Sequence, residues 1–131
     1  MAQFTYISIP VRSTAVLTGT YVANPINLSS AARDVYQSNQ LVLLVNFTKG
    51  SLTTAEMKIE FSNDNTNWYQ EVTESVTAGV ISEVLSERQF SATGKYRIPV
   101  PIKDRYIRVS VKGTGTTTGS DMVITAVVAE A

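Results

Sequence analysis

The residues of this chain that could carry chemistry are carboxylates, because the sequence contains no Cys and no His. Their absence excludes disulfides and His-based triads and removes most zinc, haem and iron–sulfur sites. Paired carboxylates remain to be considered, and the glutamates that could supply a pair are Glu56, Glu60, Glu71, Glu74, Glu83 and Glu87. Glu56, Lys58 and Glu60 occupy alternate positions of one strand, so they share a solvent face, which indicates a solubilising surface. We therefore expect a protein that is not an enzyme, with no catalytic residues and no cofactor.

Oxygen-bearing side chains also cluster at residues 62–67, but Asp64 is the only carboxylate among them. A calcium site needs six to eight oxygen ligands with several carboxylates. We therefore expect Asp64 and Asn65 to form a turn held by side-chain to backbone hydrogen bonds, with no metal bound. Trp68 and Tyr69 follow directly, and such residues either pack in a core or stack on a sugar. We interpret Trp68 as a plug at one end of the core, and an exposed sugar-contact platform as the alternative.

These residues must be positioned by short strands. Val, Ile and Thr supply 41 of the 131 residues, in short runs separated by Gly, Asn, Asp and Pro, which is typical of all-β proteins. Residues 56–61 alternate strictly and predict a half-buried strand, and residues 55–75 predict a hairpin around the Asp64 turn. Pro99 and Pro101 indicate a strand at the edge of a sheet. The fold class that we predict is an all-β antiparallel β-sandwich, jelly-roll-like, with about eight strands.

The pattern of the first 40 residues predicts a different structure from that of the rest of the chain. We expect residues 1–40 to form an N-terminal arm, with strands at 4–11 and 16–22 and one helical turn capped by Ser29 or Ser30. This arm would pack on or exchange with neighbours, residues 41–131 would form the sandwich core, and the whole would be one domain. Residues 41–45 are apolar at every position, which predicts a central strand covered on its second face by another segment or a partner chain. Our candidates for an assembly interface are Leu41, Leu43, Val45 and Tyr36.

The charge composition restricts the partners. Lys plus Arg and Asp plus Glu number 11 each, so nothing supplies the basic surface that nucleic-acid binding requires. The apolar runs are too short to span a membrane, and the N-terminal residues do not resemble a signal peptide. We expect a soluble protein that is made in a cytoplasm and binds neither nucleic acid nor membrane. A near-neutral chain also has little self-repulsion, which favours self-association.

Two segments resemble a known group of proteins. Phe61-Ser62-Asn63-Asp64-Asn65-Thr66-Asn67-Trp68-Tyr69 resembles the F-S-x-D-G-x-x-W-Y hairpin of small β-sandwich, often jelly-roll, structural proteins of tailed-bacteriophage virions. The same hairpin occurs in discoidin-like and carbohydrate-binding jelly rolls. Residues 106–111 with the Gly/Thr-rich loop 113–120 resemble the penultimate strand and last loop of the phage proteins. Asn65 stands where Gly is usual, and Asn tolerates the positive φ that the turn needs.

This resemblance, which covers about residues 41–129, implies a structural protein of the virion. The most specific function that it implies is a capsid decoration or cement protein. Such a protein would be a homo-oligomer, most often a homotrimer, and would dock on the major capsid protein or another virion protein to stabilise the head. The alternative is a carbohydrate- or receptor-binding module of a phage tail or fibre. The resemblance supplies no catalytic residues.

Overall fold

A computed structural model of the chain describes residues 5–26, 40–100 and 106–130. All of the regular secondary structure in these ranges is β-strand. The strands are β1 (Thr5–Arg12), β2 (Val22–Ile26), β3 (Gln40–Thr48), β4 (Leu52–Ser62), β5 (Tyr69–Gln70), β6 (Val72–Thr77), β7 (Val80–Leu85), β8 (Arg88–Phe90), β9 (Gly94–Val100), β10 (Tyr106–Gly115) and β11 (Asp121–Glu130).

Two antiparallel sheets form a sandwich. Sheet A has the strand order β1-β11-β3-β9, and sheet B has the order β2-β10-β4, with β5 and β8 sharing the next position along β4. Successive strands alternate between the sheets, except that β4 is followed by β5 and β8 in its own sheet. This order, with four positions in each sheet, is that of a jelly roll. The predicted all-β antiparallel sandwich is therefore confirmed, and β6 and β7 form an additional two-stranded sheet outside it.

The core lies between the inner faces of the two sheets and follows the period-2 pattern of the strands. In β4, Met57 and Ile59 are buried, as their alternation with charged residues predicts. An aromatic cluster fills one part of the core: the Phe90 ring lies 5.9 Å from that of Phe47 and 4.9 Å from that of Tyr96, measured between centroids. Phe47 is fully buried in this cluster.

The prolines of the described residues all lie on edge strands. Pro10 is in β1, Pro25 is in β2 and Pro99 is in β9, each of which ends the strand order of its sheet. A proline has no backbone N–H to donate, so it is tolerated where one side of a strand is unpaired. The edge position predicted from Pro99 is confirmed, whereas Pro101 lies outside the described residues.

The N-terminal part differs from the expectation. The strand predicted at 16–22 is wrong, because Leu17 is a core residue in a loop and the strand begins at Val22. Side-chain contacts hold the loop against the end of sheet A: the Leu17 N–H donates to Ser120 Oγ at 3.1 Å, and the Arg12 guanidinium donates to the carbonyls of Ala15 and Met122. These contacts take the place of ladder hydrogen bonds.

The two N-terminal strands are integral to the sandwich. β1 pairs with β11 and β2 pairs with β10 in the same chain. Residues 5–26 therefore belong to both sheets, and exchange of the N-terminal residues with a neighbouring copy stays a prediction. The helical turn predicted near Ser29 and Ser30, together with Tyr36, lies outside the described residues.

Candidate assembly and binding surfaces

The turn at Asp64 is built by its own side chain. Asp64 Oδ1 accepts hydrogen bonds from the N–H groups of Thr66 and Asn67, at 2.9 and 2.8 Å, and from Ser62 Oγ at 3.0 Å. Its Oδ2 accepts one from Asn67 Nδ2 at 2.8 Å. Asn65 has φ 58°, the left-handed conformation expected of it. The turn predicted from the sequence is confirmed, and no cluster of acidic residues within the described ranges could hold a metal ion.

The hydrogen bonds from the Asn67 and Thr66 N–H groups lower the pKa of Asp64 below its usual 3.8. Because the folded pKa is depressed, the carboxylate stabilises the fold above the unfolded pKa, and this stabilisation is lost as the pH falls through the folded value. We expect Asp64→Ala to be less stable than the parent chain at pH 7. The difference should shrink steadily below about pH 4. Urea unfolding of both proteins between about pH 3 and pH 7, a range that includes the titration of ordinary carboxyl groups, would measure this stability difference. A difference that does not change with pH would contradict this role of Asp64.

Trp68 lies on the outer face of sheet B and does not plug the core. The guanidinium of Arg108 sits over its ring, 4.5 Å from the centroid, and Trp68 is only half-buried. Arg108 also holds Glu60 in a bidentate pair, with Nε to Oε1 and Nη2 to Oε2 both at 3.1 Å. The interpretation of Trp68 as a core residue is therefore wrong, because a cation from a distant strand offers the indole a better partner at the surface.

The Glu60–Arg108 pair should contribute measurably to stability. Glu60 is only 7% exposed, so removing its partner leaves a carboxylate that water solvates poorly. We expect Arg108→Met to lower the free energy of unfolding by about 2 kcal/mol. The double variant Glu60→Met, Arg108→Met should lose less than the sum of the two single variants. Chemical denaturation of the four proteins tests this, and strict additivity would show that the pair is not coupled.

The rest of the outer face of sheet B is covered by its own side chains. The ring of Tyr21 lies under the ammonium groups of Lys58 and Lys112, 4.7 and 4.8 Å from its centroid. Burial raises the pKa of the Tyr21 hydroxyl, and nearby carboxylates add to the rise. Thr114 donates from its hydroxyl to Glu56 at 3.0 Å. This face therefore satisfies its charges internally and leaves little apolar surface for a partner.

The outer face of sheet A has the opposite character. Leu44 is 45% exposed, and the face holds a shallow groove of about 470 Å³. The side chains that line this groove from the outer face are Ser8, Leu44, Asn46, Lys95, Arg97, Val123, Thr125 and Val127. Leu44 lies directly opposite Arg97 on one side and Thr125 on the other. We call this surface the sheet A groove: an apolar floor with two cations at the β9 edge.

The predicted interface residues of β3 point the other way. Leu41, Leu43 and Val45 are buried in the core at 2% exposure or less, so they are not available to a partner. Because β3 is apolar on both faces, the outward positions of the same strand, Val42 and Leu44, are the ones that a partner could contact. The central position of β3, between β11 and β9, agrees with the sequence analysis.

The second exposed surface is the β6–β7 hairpin. All twelve residues of the two strands are exposed, and the large apolar ones, between 46% and 66% exposed, are Val72, Val76, Val80, Ile81, Val84 and Leu85. A two-residue turn joins the strands, with positive φ at both Ala78 and Gly79. At the other end, the Ser86 N–H donates to the Glu71 carbonyl at 2.8 Å. The hairpin therefore projects from the sandwich and exposes apolar side chains.

The candidate sugar contacts are not assembled into a platform. Tyr69 is 70% exposed, but the Trp68 ring has the Arg108 guanidinium on one face. The Asp64 oxygens, which could otherwise bind sugar hydroxyls, already accept hydrogen bonds within the turn. Of the four residues proposed for this site, Asp64, Asn65 and Tyr69 are exposed, and Tyr69 supplies the exposed aromatic ring.

Comparison with known proteins yields little. No known protein family matches the chain, and no curated protein matches it. Among solved structures, the chain is similar to a chain in the structure of infectious bursal disease virus, Gx strain, with a TM-score of 0.42 and 10% identity. The similarity covers 98% of this chain and 32% of the other, so this chain spans about a third of that neighbour's length. Its function has to be inferred from its own residues.

Within the described ranges, no helix has the length and apolarity that crossing a membrane requires.

The β6–β7 hairpin and the sheet A groove are not predicted from the sequence. The hairpin predicted at residues 55–75 ends earlier in the structure, because β5 pairs with β4 at only two positions, Glu60↔Gln70 and Phe61↔Tyr69. A signal was present: residues 71–87 carry four Glu and no Lys or Arg, around a turn that contains Gly79. A segment that is both acidic and rich in β-branched residues is unusual for a buried strand.

Proposed function

We propose that this chain is a non-enzymatic structural protein of a virion. In the most specific form, it is a capsid decoration protein that self-assembles and docks on the major capsid protein to stabilise the head. The observation that carries the proposal is the exposure of two apolar surfaces, the sheet A groove and the β6–β7 hairpin, on a small jelly roll. Contiguous exposed apolar patches mark interaction sites on soluble proteins.

Two further features support this proposal. The Asp64 turn adopts the geometry expected from its resemblance to phage sandwich proteins, including the positive φ of Asn65. Prolines at three of the four edges of the sandwich discourage sheet-to-sheet extension, which favours contacts with other subunits through side-chain surfaces. Many modest interfaces of this kind, repeated over a lattice, hold firmly through multivalency.

The alternative, a carbohydrate- or receptor-binding module of a phage tail or fibre, is supported by one residue. Tyr69 offers an exposed ring next to the Asp64 turn. A sugar site normally combines such a ring with several free polar groups, and here the neighbouring Asp64 carboxylate already accepts hydrogen bonds from Ser62, Thr66 and Asn67 within the turn. We therefore rank it second.

Addition of the purified chain to virus heads that lack it tests the proposal. We expect saturable co-sedimentation with the heads, density at regular sites in cryo-electron microscopy, and heads that release their genome at a higher temperature. Absence of binding to heads would overturn the decoration role. Binding on a glycan array that Tyr69→Ala abolishes would favour the alternative instead.

A further inference from the structure

We propose that the β6–β7 hairpin of one copy of the chain docks in the sheet A groove of a second copy. The proposal rests on the self-assembly that the proposed function includes, and it names the two surfaces that make the contact. Both surfaces lie within the described residues, and their charges are complementary: the hairpin carries carboxylates and the groove carries cations.

The hairpin presents one face that combines apolar and acidic side chains. Directly opposed residues of an antiparallel pair project to the same side, so this face consists of Val72, Glu74, Val76, Ile81, Glu83 and Leu85. Glu74 lies opposite Glu83, between the apolar pairs Val72–Leu85 and Val76–Ile81. Like charges directly opposite each other destabilise a hairpin, and an isolated two-stranded hairpin is marginally stable in water. A cationic, apolar partner would relieve both problems.

The sheet A groove has this character. Lys95 and Arg97 project from the same side of β9, next to Asn46 and Leu44, and no carboxylate of the described residues lies within ion-pair distance of either cation. Residues two apart along a strand are about 7 Å apart, and directly opposed Cβ atoms are about 5 Å apart. The two cations can therefore face the two carboxylates while the apolar side chains of the hairpin cover Leu44 and its neighbours.

The contact is between copies and not within one chain. The hairpin is inserted between β5 and β8, which lie in sheet B, whereas the groove is on the outer face of sheet A, across the sandwich. In its own chain the hairpin leaves all its residues exposed. Because the two surfaces differ, the contact is heterologous, and such contacts close into rings when the rotation between copies allows. A trimer is one such ring.

Charge reversal tests this pairing. We expect the parent chain to form a defined oligomer in light scattering coupled to size-exclusion chromatography at low salt. Glu74→Lys with Glu83→Lys, or Lys95→Glu with Arg97→Glu, should weaken association at least about tenfold. All four changes in one chain should restore it, because the pairs re-form with opposite polarity. A mixture of the two double variants should also associate, in rings that alternate the two variants and therefore contain an even number of copies.

The matched control is Ser75→Lys with Ser82→Lys, which adds positive charge to the opposite face of the same hairpin and should leave the oligomer intact. Circular dichroism and thermal unfolding would verify that every variant folds. An oligomer that neither reversal weakens would overturn the pairing alone. A monomeric parent chain would overturn the pairing and the self-assembly in the proposed function, whereas docking on the capsid is measured separately by attachment to heads. If only the Lys95 and Arg97 reversal weakens association, the hairpin is not the occupant of the groove, and the proposal is wrong.

Discussion

Replacing Phe47 with alanine is expected to lower the free energy of unfolding by about 3–5 kcal/mol, the largest effect of any single truncation considered for this chain. Phe47 is fully buried, and its ring packs against Phe90, which in turn contacts Tyr96. Removing the ring deletes contacts from both sheets and leaves a cavity that β3 cannot fill, because that strand is held by ladders to β11 and β9. Urea denaturation followed by circular dichroism measures the loss.

The control for Phe47 is Val76→Ala, a truncation of a side chain that is 66% exposed on the hairpin. We expect a change within about 0.5 kcal/mol. Because a small domain has only about 5–15 kcal/mol of stability in total, Phe47→Ala should remove a large share of it. A loss below about 1 kcal/mol, far under the range for buried aromatic residues, would mean that the ring does not pack as described.

Replacing Gly50 with alanine is expected to cost about 3 kcal/mol or more, for two separate reasons. Gly50 has φ 56°, a conformation that costs other L-residues roughly 1–2 kcal/mol. A Cβ there would also lie 2.6 Å from the carbonyl oxygens of Gly119 and Thr118. Those atoms belong to backbone that cannot move aside cheaply, because the Ser51 N–H donates to the Thr118 carbonyl at 3.0 Å.

Gly79→Ala separates the two reasons. Gly79 also has positive φ, but a Cβ there would meet no atom within 4 Å. Its penalty should be the conformational strain alone, and it should be confined to the hairpin, so the unfolding midpoint of the sandwich should stay close to that of the parent. Equal losses in the Gly50 and Gly79 variants would show that the contact with Gly119 is not what makes Gly50 necessary.

The parts of the fold that the sequence predicts are those governed by local rules. Strict alternation in β4 identifies which residues face the core, Pro99 marks an edge strand, and the hydrogen-bonding capacity of Asp64 predicts its turn. Each of these depends on residues close together in the chain. For the order of strands in the two sheets, by contrast, the sequence predicts a jelly-roll-like sandwich but not which strand pairs with which.

The parts that the sequence does not predict depend on residues that are distant in the chain, or on which face of a sheet a side chain points to. Trp68 lies at the surface because Arg108, forty positions away, contacts its ring from β10, on the far side of β4. Because every residue from Leu41 to Val45 is apolar, the sequence does not reveal which of the two alternating sets of side chains faces the core. The interface predicted at Leu41, Leu43 and Val45 is wrong for this reason. The hairpin strands are rich in β-branched residues, as core strands are, but they also carry Glu74 and Glu83, and nothing in the described part of the chain covers them.

The prolines of β1, β2 and β9 also bear on how the chain behaves at high concentration. A concentrated β-protein is at risk of polymerising through open strand edges into cross-β fibrils. Pro10, Pro25 and Pro99 each interrupt the row of donors that an incoming strand would need. Three of the four edges of the sandwich are therefore poor templates for an incoming strand, so we expect concentrated subunits to associate through side-chain surfaces and to separate again as folded molecules.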